Sequence, residues 1–178
     1  MIRLFAAVAV PPDLGEGLQA RQTGLAGANW RPLEAFHITL RFFAELREDV
    51  ADDLHLELER IAASPMVLEL EGVGSFGEGH EIHAVWAGVK ESPELRRLAK
   101  ACETAARRAR LTPDTRAYRP HVTLAYLKRP DPAEVAGWLS ANALLKSPPF
   151  EVKSFGLYSS RLLSGGSRYQ LEQIYRLR

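Results

Sequence analysis

Phe36-His37-Ile38-Thr39-Leu40-Arg41-Phe42-Phe43 decides the fold, because its centre returns as His121-Val122-Thr123-Leu124, 84 residues later in a chain of 178. Each tetrad alternates polar and apolar residues with the period of two that belongs to a β-strand. His37 and Thr39 therefore project from one face, and Ile38 and Leu40 from the other. His121 and Thr123, set against Val122 and Leu124, repeat the arrangement. A slip by one residue would bury the polar pair, so the apolar pair fixes the register.

The flanks repeat too. A strand over residues 4–10 leads into a helix opened by Pro12 and Asp13 and running to about Ala26, and then to the first tetrad. A strand over 82–89 leads into a helix opened by Ser92-Pro93-Glu94: a cap, a first-turn proline and an acid at the positive helix end. Leu95, Leu98, Ala99, Cys102 and Ala106 form its inward face. Further strands are expected over 36–43, 66–73 and 121–127, with the glycine-rich turn Gly74–Gly79 before the strand over 82–89. An amphipathic helix is expected over 47–62 and a short helix over 132–140. Two closing strands, 150–159 and 168–177, flank the turn Ser164-Gly165-Gly166-Ser167. No linker-like segment divides the chain. The expectation is one α+β domain spanning 1–178, built of two pseudo-symmetric lobes of nearly equal size. Each lobe has a small, mostly antiparallel sheet with outer helices and presents one His-x-Thr motif to a central cleft.

Two imidazoles facing one cleft suit acid–base chemistry near neutral pH, since a histidine's ordinary pKa of about 6.5 lets one be neutral while the other is protonated. One would take a proton from water and the other would give a proton to a leaving alkoxide. Two threonine hydroxyls would hydrogen-bond the non-bridging oxygens of a phosphodiester as charge builds.

Composition limits the function classes. The chain carries 46% apolar and 25% charged residues with a net charge of +1, so it is not read as a protein that coats long nucleic acid. No apolar run reaches the roughly 20 residues of a membrane helix. Leu4–Val10 resembles a minimal signal-peptide core, but Pro11-Pro12-Asp13 ends it as a loop would, and a buried first strand is the preferred reading. A single cysteine, Cys102, rules out an intrachain disulfide and a thiolate metal cage, and points to a cytoplasmic setting. The small net charge hides an asymmetry: residues 45–81 sum to −9 and residues 90–129 to +7. The basic segment suits either a phosphate-bearing end or a solvated helix face made by Arg96, Arg97, Lys100, Arg107, Arg108 and Arg110.

The sequence resembles the 2H phosphoesterase superfamily, and within it the RNA 2′,3′-cyclic phosphodiesterases, also called 2′–5′ RNA ligases. The paired tetrads carry the resemblance. Arg3-Leu4-Phe5-Ala6-Ala7-Val8, Trp30-Arg31-Pro32, Gly74-Ser75-Phe76, Trp86-Ala87-Gly88-Val89, Arg119-Pro120, Leu157-Tyr158-Ser159-Ser160 and Tyr169-Gln170-Leu171 extend it. The resemblance implies a bilobal fold and hydrolysis of a terminal 2′,3′-cyclic phosphate on single-stranded or tRNA-derived RNA to a 2′-phosphate. It implies no metal, no cofactor and no membrane, with reversible 2′–5′ ligation as a side activity and a monomer as the acting unit. His37 would be the general acid for the 3′ oxygen and His121 the general base for water, while Thr39 and Thr123 would hold the phosphate. Relatives often carry Arg where this chain has Tyr126, and Arg41, Lys128 and Arg119 are the alternative sources of charge. Phe42 and Tyr126, each five residues after a motif histidine, either stack on a base or face the core as ideal alternation would have it. Tyr158, Arg168 and Tyr169 are within possible reach of a ligand.

Alternative readings keep the fold and change the substrate, to a small cyclic nucleotide or a 2′–5′ linked oligonucleotide, or keep the cleft as a non-catalytic reader of RNA ends. His80 and His83 form a His-x-x-His with no third ligand evident, which is weak support for a metal. His55 falls on the polar side of its helix and reads as a surface residue. Cys102 reads as a buried, inert thiol.

Overall fold

The computed structural model describes residues 1–164 and 166–178, so the expected turn at 164–167 lies partly outside the described residues. The elements run β1 (Ile2–Ala9), α1 (Pro12–Gln19), β2 (Asn29–Trp30), β3 (His37–Leu46), α2 (Glu48–Glu59), β4 (Met66–Leu68), β5 (Leu70–Phe76), β6 (Ala84–Val89), α3 (Pro93–Arg108), β7 (His121–Tyr126), α4 (Pro132–Asn142), β8 (Phe150–Val152), β9 (Ser154–Leu163) and β10 (Gly166–Arg176). Two antiparallel four-stranded sheets result, one in the order β10-β9-β1-β3 and the other β2-β7-β6-β5, with β4 and β8 pairing apart from both. The α+β class and the two-sheet plan match expectation.

The lobes do not divide at mid-chain. β9 and β10, from the end of the chain, complete the sheet of β1 and β3, and β2, from the first half, joins β7. A helix to Ala26 is also corrected. It ends at Gln19, and Gly24 at φ +84 turns the chain; Leu25 is still buried, on a loop. The expected strand over 66–73 is two strands. β5 continues through Gly74 and Ser75 to Phe76, and the turn falls at Gly77–Ile82 around a short 3₁₀ helix. Residues 150–159 likewise split, because β8 leaves to pair with β4.

The helix starts follow their side chains. Ser92 Oγ accepts from the Leu95 N–H at 3.2 Å and Asp131 Oδ1 from the Ala133 N–H at 2.9 Å, each just before a proline that fits the first helical position. One continuous core forms from Leu4, Ala6, Val8, Ile38 and Leu40 of one sheet and Val85, Ala87, Val122 and Leu124 of the other. Leu54 and Leu58 of α2 and Leu95, Leu98 and Cys102 of α3 pack with them. α2 packs on α3, where Arg108 of α3 meets Glu57 of α2 at 3.7 Å. Along α3, Arg97 pairs with Glu94 at 3.4 Å and Arg107 with Glu103 at 2.9 Å.

The two motif strands share a device. Against β1, Ala6 pairs with Arg41 and Ala7 with Thr39, leaving Leu40 as an extra residue. Against β6, Val85 pairs with Ala125 and Trp86 with Thr123, leaving Leu124 extra. Each bulge stands three residues after its histidine and shifts the alternation by one. Residues beyond it that ideal alternation would send inward turn to the cleft side instead. Phe42 is accordingly 48% exposed and Tyr126 43% exposed.

Candidate active site

His37 opens β3 and His121 opens β7. His121 Nδ1 donates to the Arg119 carbonyl at 2.6 Å, and His37 is held by the backbone of Ala35, also two residues upstream. A carbonyl acceptor at Nδ1 selects the tautomer whose Nε2 carries the free lone pair. His121 therefore presents Nε2 as its working nitrogen.

Aromatic walls set the electrostatics. His37 is 8% exposed, with Tyr158 at 4.8 Å, Tyr169 at 5.1 Å and the Phe5 edge at 5.6 Å between ring centroids. Burial, offset in part by the Ala35 carbonyl and reinforced by the charge of Arg31, lowers its pKa to about 4. His121 is half-buried against the Phe76 edge at 4.8 Å and Trp86 at 5.7 Å. Burial lowers its pKa as well, and the Arg119 carbonyl opposes that.

The motifs meet crosswise. Thr39 and Phe42 from the first strand line a cavity of about 790 Å³ together with His121 and Phe76 from the second sheet. On the other side, Tyr126 of β7 approaches the His37 subsite through Arg31, whose guanidinium lies 5.3 Å from the Tyr126 ring centre and 5.7 Å from that of Tyr169. Thr123 is half-buried on β7 opposite Trp86. Tyr118 donates to the Thr39 carbonyl at 2.9 Å and ties the loop before β7 to the first motif.

The other expected residues separate. Tyr158 stacks on Phe5 at 5.3 Å, with the ring planes 15° apart, and is part of the His37 wall. Phe42 packs 5.3 Å from Phe5. Arg41 lines the same cavity as His121, with its guanidinium engaged: its Nε donates to Glu103 at 2.5 Å and its Nη2 to the Thr112 carbonyl at 2.7 Å, with 11% of the side chain exposed. Arg119 lines the cavity, and Lys128 is exposed just past β7. Tyr169 belongs to the His37 wall, whereas Arg168 is exposed on β10. His80 is held by the Pro130 carbonyl at 3.2 Å, and among the described residues no three metal-capable side chains cluster. His55 is corrected from a surface residue: it is half-buried and bonded through Nδ1 to the Tyr175 hydroxyl at 2.9 Å. Cys102 is fully buried, and burial pushes its thiol pKa up. Among the described residues no helix is long and apolar enough to cross a membrane.

Sequence reasoning did not pick out Arg31, Phe5, Phe76, Trp86 or Tyr118 as site residues. Their places depend on which strands become neighbours, which no local pattern shows.

The profile of the 2′-5′ RNA ligase superfamily matches residues 10–162. The chain is 30% identical over 172 residues to an RNA 2′,3′-cyclic phosphodiesterase of Archaeoglobus fulgidus, covering 95% of this chain and 97% of that one. The crystal structure of TT0787 of Thermus thermophilus superposes with a TM-score of 0.82 at 25% identity, over 99% of this chain and 98% of that one. Escherichia coli LigT complexed with 3′-AMP shares the fold, with a TM-score of 0.80 at 24% identity over the same shares. With one His-x-Thr motif on each of two sheets, and a profile match spanning most of its length, the chain belongs to the 2′-5′ RNA ligase superfamily.

Proposed function

We propose that this chain hydrolyses the terminal 2′,3′-cyclic phosphate of RNA to a 2′-phosphate, with the whole chain as the functional unit and each sheet supplying one histidine. The observation that carries the reading is the matched presentation of the two imidazoles. Each is held by the backbone two residues before it, Arg119 for His121 and Ala35 for His37, and each has a threonine two residues after it. The name of the Archaeoglobus relative supports the substrate class.

In the proposed step, water attacks phosphorus as the P–O3′ bond breaks. One imidazole Nε2 takes the water proton, and the other, as imidazolium, gives a proton to O3′. Thr39 and Thr123 donate to the non-bridging oxygens. The family resemblance assigns the acid to His37 and the base to His121. In the empty cleft His37, with its pKa near 4, is neutral at pH 7. The acid's role then requires the negative charge of the phosphodiester to draw the proton onto it. With a 5′-hydroxyl in place of water, the same displacement forms a 2′–5′ linkage, which is the proposed ligase side activity.

The test is incubation of the protein with a short RNA ending in a 2′,3′-cyclic phosphate, in parallel with a cyclic mononucleotide, with EDTA present. A 2′-phosphate product on the RNA supports the reading. A 3′-phosphate product, or turnover of the mononucleotide alone, contradicts it.

A further inference from the structure

Arg31 is 4% exposed, the most buried cation of the described chain. A buried charge is costly unless it is paired. No carboxylate pairs with Arg31 among the described residues, and the one hydrogen bond of its guanidinium there runs from Nη2 to the Ser167 carbonyl at 3.1 Å. Arg41 is treated differently: its guanidinium donates to Glu103, the Phe42 carbonyl and the Thr112 carbonyl.

Its surroundings hold it in place. The Arg31 backbone N–H donates to the carbonyl of the bulged Leu124 at 2.8 Å, and Gln22 Nε2 donates to the Arg31 carbonyl at 2.8 Å. The side chain is clasped between the rings of Tyr126 and Tyr169, a geometry in which a guanidinium keeps its edge free for hydrogen bonding. Tyr169 in turn packs 5.1 Å from His37, and the Arg31 charge is felt at His37, whose protonation it opposes. The cation thus belongs to the His37 subsite and has donors to spare.

On these grounds we infer that Arg31 is the phosphate-contacting cation of the cleft, taking an anionic phosphoryl oxygen beside His37. The inference rests on the proposed hydrolysis of a cyclic phosphate. Tyr126 and Tyr169 position the guanidinium, and Arg41 and Lys128 are not required for the contact.

The test compares wild type with Arg31→Gln and Arg31→Lys, using inorganic phosphate as a competitive inhibitor of turnover and the pH dependence of kcat/KM. Arg31→Gln is expected to weaken phosphate inhibition and kcat/KM on the order of a hundredfold, the scale of removing one partner of a desolvated charge pair. It should also move the acidic limb of the profile upward, because a charge opposing His37 protonation is gone. Arg31→Lys keeps the charge and loses the planar fork; it should hold the limb near its wild-type place and weaken phosphate roughly tenfold. A folded Arg31→Gln with unchanged phosphate inhibition and an unmoved limb overturns the inference. Should that variant fail to fold, unchanged phosphate inhibition in Arg31→Lys overturns it equally. An inactive wild type would refute the proposed reaction instead, and phosphate binding measured directly by calorimetry on the same variants would still decide the role of Arg31.

Discussion

Replacing His37 by Gln should alter how stability depends on pH, and the size of the effect follows from the burial of the ring. The folded protein holds His37 near pKa 4, whereas the unfolded chain titrates at the ordinary 6.5. Below pH 6.5 the unfolded state binds a proton that the folded state refuses. The stability associated with the neutral ring is therefore complete above pH 6.5 and is lost as the pH falls toward 4. The full depression corresponds to roughly 3 kcal/mol, of which about 2 kcal/mol has gone by pH 5. Little screening applies to a ring only 8% exposed. Carboxylates such as Asp114, lowered to about 2 by Arg116, titrate in both proteins and cancel in the difference. The assay is urea unfolding of wild type and His37→Gln at pH 7.5, 6 and 5. Wild type should lose stability relative to the variant by about 2 kcal/mol across that range. Parallel pH dependences would refute the argument that burial keeps this imidazole neutral.

Three further outcomes follow from other parts of the structure. Phe42→Ala and Tyr126→Ala should each raise KM for a short RNA roughly tenfold with kcat little changed, as loss of one base stack would; steady-state kinetics showing no change in either variant would return both rings to a packing role. Arg41→Ala leaves the largely buried Glu103 with Arg107 and the Asp114 N–H and frees the Thr112 loop, so it should cost about 2 kcal/mol in urea unfolding; an unmoved midpoint would show the pair to be idle. Turnover should persist in excess EDTA, and its abolition would replace the histidine mechanism with a metal-dependent one.

What could be read in the sequence was what strand periodicity controls. His37, Thr39, His121 and Thr123 were found because alternation with the apolar residues Ile38, Leu40, Val122 and Leu124 is local information. The two bulges were not legible. Leu40 and Leu124 look like ordinary inward residues, and only pairing with β1 and β6 makes them the extra ones. That single fact decides whether Phe42 and Tyr126 face the core or the cleft. The overlong first helix has a similar cause. Leu25 satisfied the apolar spacing and is buried, but the chain reaches it through a loop turned at Gly24. The crossing of β2 and of β9–β10 between the halves is a long-range pairing, and a repeat of 84 residues suggested a cleaner division than the sheets show. Arg31 was legible only within the Trp30-Arg31-Pro32 stretch of the family resemblance, not as a site residue. One arginine before a proline is ordinary, and its interest lies in two tyrosines that arrive from β7 and β10.

The central claim is that two histidines, one from each sheet, act as one acid–base pair. Its most direct measurement is kcat/KM against pH on a cyclic-phosphate-ended RNA, for wild type, His37→Ala and His121→Ala. Both imidazoles are lowered from their ordinary value, so the wild-type profile should be a bell lying below pH 6.5. Each alanine variant should remove one limb and slow turnover by about 10² to 10⁴. A variant that kept both limbs and the wild-type rate would contradict the account.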